Sequence, residues 1–308
     1  MYESRVSPMI PRFAWLALGL LVAGSASCNR ARALGPPKAV PVATDGKLEL
    51  RLMSFNVRYE NGGDAGSKAW RQRVVGAVRM IREENPDVIG VQEALHGQAA
   101  DLWASLPDYD FIGAARDDGR RAGEYAGIFF RRDRFEADVL DSGTFWLSDT
   151  PEKPGSKTWG NEIPRTATWL RLVDRSSQRG FYVFNTHWDH RHQGSRERSA
   201  GLLVERIHGR KNPDEPVVLL GDFNAVEQNP GLVMLRSGMR LTDVFQSLHP
   251  RETERTTLHF WRGTRAGSLK VDHILVSEGA EVFAAEIRAQ DIPMVSDHFP
   301  VTARVAFP

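Results

Sequence analysis

The stretch Pro216-Val217-Val218-Leu219-Leu220-Gly221-Asp222-Phe223-Asn224 decides the reading of this chain. Four consecutive apolar residues without polar alternation describe a strand buried on both faces, as in the interior of a layered α/β fold. The run ends on a carboxylate and an amide two residues apart, which point the same way from a strand end. Open α/β sheets place their ligand crevices at such ends. There a carboxylate can orient and deprotonate a water, and an amide can donate to charge developing on phosphoryl oxygens. An Asx turn that merely caps the strand is the plain alternative.

Outward from this strand, the same grammar repeats. LELRLMSFNVRY at 48–59 alternates Leu48, Leu50 and Leu52 with polar partners and carries Asn56 near its end. The 3.6-residue spacing of Trp70, Val74, Ala77, Val78 and Ile81 predicts a helix over 67–84, stopped by Asn85-Pro86. DVIGVQE at 87–93 is a short buried strand that ends on Glu93. Further strands are expected at 126–131, 135–145, 165–174 and 180–187, a helix at 195–209, and strands near 269–277, 280–289 and 299–306. Residues between 225 and 268 read as loop-rich. Strand clusters separated by a few helices indicate a layered α/β or α+β fold.

Several of these segments end on residues with chemistry to offer. Asp272 shares a strand face with Ile274 and Val276, and a carboxylate aimed into an apolar layer needs a cationic partner. His298, in SDHFPV, is the candidate, because a carboxylate fixes the tautomer of a histidine and stabilises its protonated ring. Asp297 beside it is free to approach a metal. Glu93 suits a hard divalent cation, which favours one or two carboxylates, and Asn56 either orients Glu93 or touches the same ion. His187 can donate to a phosphoester oxygen, with Glu124 placed to orient it. For each, a solvated strand end or polar loop is the bland counterpart.

The chain has 308 residues, 41% hydrophobic and 26% charged, the composition of an ordinary globular protein. Lys and Arg number 40 against 39 Asp and Glu. Setting aside a leader of residues 1–33, with its four arginines and one glutamate, leaves 36 against 38. A neutral body argues against a nucleic-acid substrate, since non-specific grip on DNA or RNA comes mostly from phosphate neutralisation. Residues 1–28 read as a secretory signal: Arg5 and Arg12 precede the apolar run FAWLALGLLVAG, too short to span a membrane comfortably. Cys28 directly follows, where a bacterial lipoprotein signal carries its lipid-modified cysteine, although Ser25 departs from the usual leucine. Cleavage after Ala33 would instead release a soluble form. Export to the periplasm, the outer membrane or the medium is therefore expected. Residues 29–47 form a linker and 48–308 a single domain. With one cysteine in the chain, disulfides play no part.

Taken in order, MSFNVRY, VQE, NTHWDH, GDFN, VDHILVS and SDHFPV resemble the motif set of the endonuclease/exonuclease/phosphatase superfamily, over about residues 50–303. The resemblance implies a four-layer α/β sandwich, DNase I-like, of two packed mixed β-sheets flanked by helices, with the site at one end. It implies that Glu93 binds Mg2+ or Mn2+ with Asn56 nearby and Asp297 assisting. Asp222 then positions the attacking water, Asn224 stabilises the pentacoordinate phosphorus, Asp272 orients His298, and His298 and His187 contact the phosphate. Within GTFWLSDTPEKPGSKTWGNEIPRTATW at 143–169, similar to a bacterial subgroup, Lys157 and Arg165 can reach an anionic group, and Trp146 or Trp159 can offer a stacking face. Glu124, Asp189 and Arg165 are the substrate-binding candidates. THWDH also resembles the zinc motif T-H-x-H-x-D-H of metallo-β-lactamase-like hydrolases, but that alignment puts Asn185 where its first histidine belongs.

The expected function is metal-dependent hydrolysis of a phosphorylated small molecule or phosphodiester outside the cytoplasm. The alternatives are a secreted nuclease, a phospholipid head-group hydrolase working near a lipid-anchored membrane site, and a binding protein without turnover.

Overall fold

The structure is a computed structural model that describes residues 46–289 and 294–308. The proposed signal and most of the linker lie outside the described residues. Among the described residues no helix is long and apolar enough to cross a membrane.

Two six-stranded sheets face each other. The first contains β1 (Leu48–Asn56), β2 (Val88–Ala94), β3 (Tyr109–Ile112), β4 (Tyr125–Arg131), β11 (Glu281–Ile287) and β12 (Val301–Phe307), in the order β11-β12-β1-β2-β4-β3. The second contains β5 (Phe135–Trp146), β6 (Thr166–Asp174), β7 (Gly180–His187), β8 (Val217–Asp222), β9 (Leu241–Asp243) and β10 (Asp272–Ser277), in the order β5-β6-β7-β8-β10-β9. Each sheet has one parallel pair at its centre, β1 with β2 and β7 with β8, and antiparallel neighbours outside. A helix makes each parallel crossover: α1 (Trp70–Glu84) between β1 and β2, and α3 (Gln193–His208) between β7 and β8. That requirement of parallel pairing puts helices on the two outer faces.

The period of two along β1 divides the layers. Leu48, Leu50 and Leu52 enter the core between the sheets with Val218, Leu220 and Ile274, whereas Met53 and Phe55 pack outward against α1 and α2 (His96–Ser105). Leu219 and Phe184 face α3 and α4 (Pro230–Met239) on the other side. The result is the expected four-layer sandwich. A polar seam crosses its centre: Asn185 donates to Val91 O and Gly127 O, and Gln92 donates to Asn185 Oδ1 at 2.7 Å. Gly90 permits this approach, since a Cβ there would meet Asn185 Oδ1 at 2.7 Å. Asn185 is thus consumed between the sheets, which removes the zinc-motif reading of THWDH.

The loop-rich reading of 225–268 is corrected by α4, β9 and the short α5 (Val244–Leu248). The signals were local: Asn229 caps α4 by accepting from Gly231 N, with Pro230 in its first turn, and Asp243 caps α5 by accepting from Gln246 N. The strand near 269–277 starts only at Asp272, because Lys270 and Val271 leave the ladder.

Lys270 explains that departure. Its side chain is fully buried, with Nζ 3.0 Å from Asp243 Oδ2 and 2.7 Å from His273 Nδ1, and His273 Nε2 donates to Ala225 O. Burial alone would raise the Asp243 carboxyl, but Lys270 and His273 outweigh it and hold it well below the carboxylate range. A depressed folded value means that Asp243 stabilises the fold above the unfolded carboxylate's pKa, near 4, and that this contribution is lost as pH falls below it. Asp243→Asn, which leaves the buried Lys270 charge only Glu227 Oε1 at 4.0 Å, is expected to cost about 3 kcal/mol at pH 7. Urea unfolding at pH 7 and pH 3 checks both statements: the deficit should shrink at the lower pH, and an equal deficit at both would contradict the assignment.

Candidate active site

The chemistry-bearing residues gather at one pole because strand direction alternates. Asn56, Glu93, His187 and Asp222 stand at the C-terminal ends of the parallel strands. Glu124 and the pair Asp297-His298 precede antiparallel strands and Asp272 begins one, so the N-terminal ends of these strands meet the same pole. Asp272 therefore opens its strand, and its register partner is Asp222.

Three non-glycine residues here adopt left-handed backbone: Arg58 (φ 57°), Glu93 (φ 63°) and Asn224 (φ 46°). Asparagine tolerates that region, whereas arginine and glutamate are held there against a steric cost, a pattern that concentrates at functional sites. Glu93 lies where the β2–β4 register shifts, and the bulge re-aims its side chain.

Asp222 is at the centre. Its Oδ2 accepts from Asn56 Nδ2 at 2.9 Å and lies 3.7 Å from His187 Nε2 and 3.9 Å from His298 Nε2; its Oδ1 accepts from Asn224 N at 2.9 Å. Burial, then the nearby Asp272, pushes its pKa up to about 7, against the pull of His298. Asp272 Oδ2 sits 2.9 Å from His298 Nδ1, as expected for the pair. Burial alone would lower the His298 pKa; Asp272 outweighs it and raises it to about 10, so the ring is protonated at neutral pH. Ser296 ties this loop to β1 by donating to Asn56 O at 2.7 Å and accepting from His298 N.

Asn56 Nδ2 also donates to Glu93 Oε1 at 3.0 Å, while Tyr59 N donates to Glu93 Oε2 and Arg58 N to Asn56 Oδ1. Asn56 in this arrangement orients two carboxylates through Nδ2, while its Oδ1 accepts from Arg58 N. Asp297 is 6% exposed, with Oδ2 3.7 Å from Arg58 Nη1 and Oδ1 buried without a partner. Burial, then proximity to Glu93, raises its pKa.

Glu93, Asp222 and His298 each offer an atom within 4.8 Å of the others. His298 Nδ1 is taken by Asp272, which raises the ring's pKa, so that in this arrangement the imidazole serves as a donor. Glu93 and Asp222, with the unpartnered Asp297 oxygen close by, are hard oxygen donors that fit a divalent cation.

Burial, then Arg165 and Arg116, lowers His187 well below the usual range and keeps it neutral. Its Nδ1 is 3.8 Å from Glu124 Oε2, but the carboxylate's short contact is with Arg116 Nη1. Burial, then Glu93, raises Glu124 to about 7. Asn224 Nδ2 donates to Trp188 O. Arg165 is buried beside His187, with Nη2 2.9 Å from His190 Nδ1. Asp189 is 2% exposed; its Oδ1 accepts from Arg191 N and His192 N, which closes the loop before α3, and its Oδ2 lies 3.7 Å from Arg165 Nε. Trp146 and Trp159 are buried and donate to Arg116 O and Asp149, so neither presents a stacking face. Lys157 is exposed and bonds Glu162 O.

Two arginines escaped the sequence reading. Nothing local marks Arg116. Arg73 carried a signal, since it shares a helix face with Trp70 and Ala77. It is 1% exposed and donates to Lys68 O, Val57 O, Arg58 O and Val295 O.

The fold and the sequence are similar to those of known proteins. The crystal structure of the endonuclease/exonuclease/phosphatase from Bacteroides vulgatus is similar at 32% identity and TM-score 0.77, over 85% of this chain and 100% of that one. Bacteroides thetaiotaomicron VPI-5482 mannosyl-6-phosphatase is 31% identical, TM-score 0.75, over 84% and 100%. The human Nocturnin catalytic domain, 19% identical at TM-score 0.68 over 84% and 95%, shares the fold. Among curated proteins there is no match. The model of the Endonuclease/Exonuclease/phosphatase family matches residues 53–298, from the strand that carries Asn56 to His298 itself, and the chain belongs to that family of phosphoester hydrolases.

Proposed function

We propose that this chain is a divalent-metal-dependent hydrolase of phosphorylated small molecules, acting outside the cytoplasm. The observation that supports it most is the buried Asn56–Asp222 contact with His187 and His298 on either side, a carboxylate held between two imidazoles beside Glu93. Mg2+ or Mn2+ bound by Glu93 and Asp222, with Asp297 nearby, would supply Lewis acidity toward a phosphoryl oxygen and keep Asp222 ionised. Asp222 orients the attacking water and takes its proton as the new P–O bond forms, the P–O bond to the alcohol breaks, and the departing alkoxide takes a proton from solvent. The protonated His298, fixed by Asp272, donates to a phosphoryl oxygen, and the neutral His187 and the Asn224 amide donate to others, so that charge developing on the phosphoryl group meets preorganised donors.

A near-neutral body and the 31% likeness to a mannosyl-6-phosphatase favour a sugar-sized phosphate ester over nucleic acid. Export rests on residues 1–28. Hydrolysis of p-nitrophenyl phosphate and bis-p-nitrophenyl phosphate should vanish in chelator and return with magnesium or manganese; activity indifferent to chelator overturns the metal assignment. The ratio of the two rates decides monoester against diester, and salt-dependent plasmid degradation would instead favour the secreted-nuclease reading.

A further inference from the structure

The turn His259-Phe260-Trp261-Arg262 is built against the local rules. Arg262 N donates to His259 O at 2.9 Å, and both central residues are left-handed, Phe260 at φ 50° and Trp261 at φ 62°. A turn with positive φ at both central positions is ordinarily filled by Asn, Asp or Gly. Two consecutive bulky aromatics there are strained, and such strain persists only where the surroundings impose it.

The surroundings do impose it. Leu258 bridges to His298, His259 N donates to Asp297 O at 2.9 Å, and the His259 ring packs 4.0 Å from that of Phe299. Gly263 N donates to His259 Nδ1, and the Trp261 ring takes Lys68 Nζ at 5.5 Å and the Arg73 guanidinium at 5.6 Å. The turn is therefore rigidly joined to the strand entry that carries Asp297 and His298, yet Phe260 at its crest remains 55% exposed. A rigid, solvent-facing ring offers contact area at little entropic cost.

Beneath it lies a cavity of about 290 Å³, at the small end of ligand pockets. Its walls include Val226, two residues beyond Asn224, and Leu258, Phe260 and Leu269, with the hydroxyl-bearing Thr264 and Ser268 at exposed positions. An aromatic face beside hydroxyls matches a ring whose faces carry C–H bonds and whose edges carry hydroxyls.

We propose that this cavity and the Phe260 face bind the alcohol part of the substrate, a hydroxylated sugar ring, while its phosphate sits at Asp222 and His298. This rests on the phosphoester reading above and adds which surface selects the ester. Phe260→Gly removes the ring and relieves the left-handed strain, so the variant should fold with an unchanged or higher melting temperature; Phe260→Tyr keeps the face.

The test is calorimetric binding, in saturating magnesium, of a non-hydrolysable hexose 6-methylenephosphonate against methylphosphonate. The wild type should favour the hexose compound, Phe260→Gly should lose about fivefold to tenfold of that preference, and Phe260→Tyr should keep it. A preference untouched in Phe260→Gly, equal losses for both ligands, or tighter binding of an adenosine 5′-methylenephosphonate than of the hexose compound would each overturn the proposal. Because binding needs no turnover, failure of metal-restored hydrolysis with the preference intact would sink the enzyme reading alone.

Discussion

Asp222→Asn and His298→Ala are each expected to lower kcat on a phosphate ester by about 10³-fold or more, the scale for losing a proton acceptor or an oxyanion donor. The two should differ in stability. Asp222 is a buried carboxylate whose pKa is pushed up to about 7, next to Asp272, so removal of its charge relieves burial and like-charge repulsion, and the melting temperature should hold or rise. His298→Ala leaves Asp272 buried without its imidazolium and should lower it. Asp272→Asn breaks the same pair from the other side. If Asp272 works only through His298, the double variant Asp272→Asn/His298→Ala should be no slower than His298→Ala alone. Steady-state kinetics and thermal denaturation of the four proteins check this; wild-type rates in Asp222→Asn and His298→Ala would remove the mechanism.

Arg73→Met should destabilise the domain by on the order of 4 kcal/mol, since it takes the guanidinium from the buried Val57 and Val295 carbonyls and from the part-buried Lys68 and Arg58 carbonyls, the last of which keeps Gln98 Nε2. Burial lowers the Arg73 pKa to about 10, which still leaves it charged at neutral pH. The carbonyls belong to three segments: Val57 and Arg58 after β1, Lys68 before α1, and Val295 ahead of Ser296-Asp297-His298. The first also supplies Tyr59 N to Glu93, so one guanidinium holds together the backbone that aims Glu93 and the backbone that aims His298. Arg73→Lys keeps the charge but loses the planar fork and should recover only part of the stability. Chemical denaturation reads the stability. Metal affinity, measured by titration of the folded variants, should fall in step; a destabilised Arg73→Lys with unchanged metal affinity would confine Arg73 to the fold.

The sequence disclosed most where chemistry and periodicity coincide. Glu93, Asp222 and His298 were legible because each terminates or adjoins an apolar strand, where a charged group has no reason to stand unless something meets it. The Asp272–His298 pair followed from electrostatic need alone. Trp146 and Trp159 misled because composition does not say whether an aromatic group faces the cleft or the interior; in the fold both tryptophans are walled in. Helix α4 was missed although Asn229-Pro230 announced it, since its apolar face is short.

By itself the sequence determined most of the strands, the two crossover helices α1 and α3, the layered architecture and the candidate reacting groups, because these depend on local spacing and on the cost of burying charge. Only the tertiary structure decided how those groups meet: alternating strand direction brings Asp272 opposite Asp222, the buried Arg73 binds three distant segments, and a strained turn carrying Phe260 is joined through Leu258 and His259 to His298 and Asp297. Such placements depend on which chain segments become neighbours across two sheets, and no local spacing encodes them.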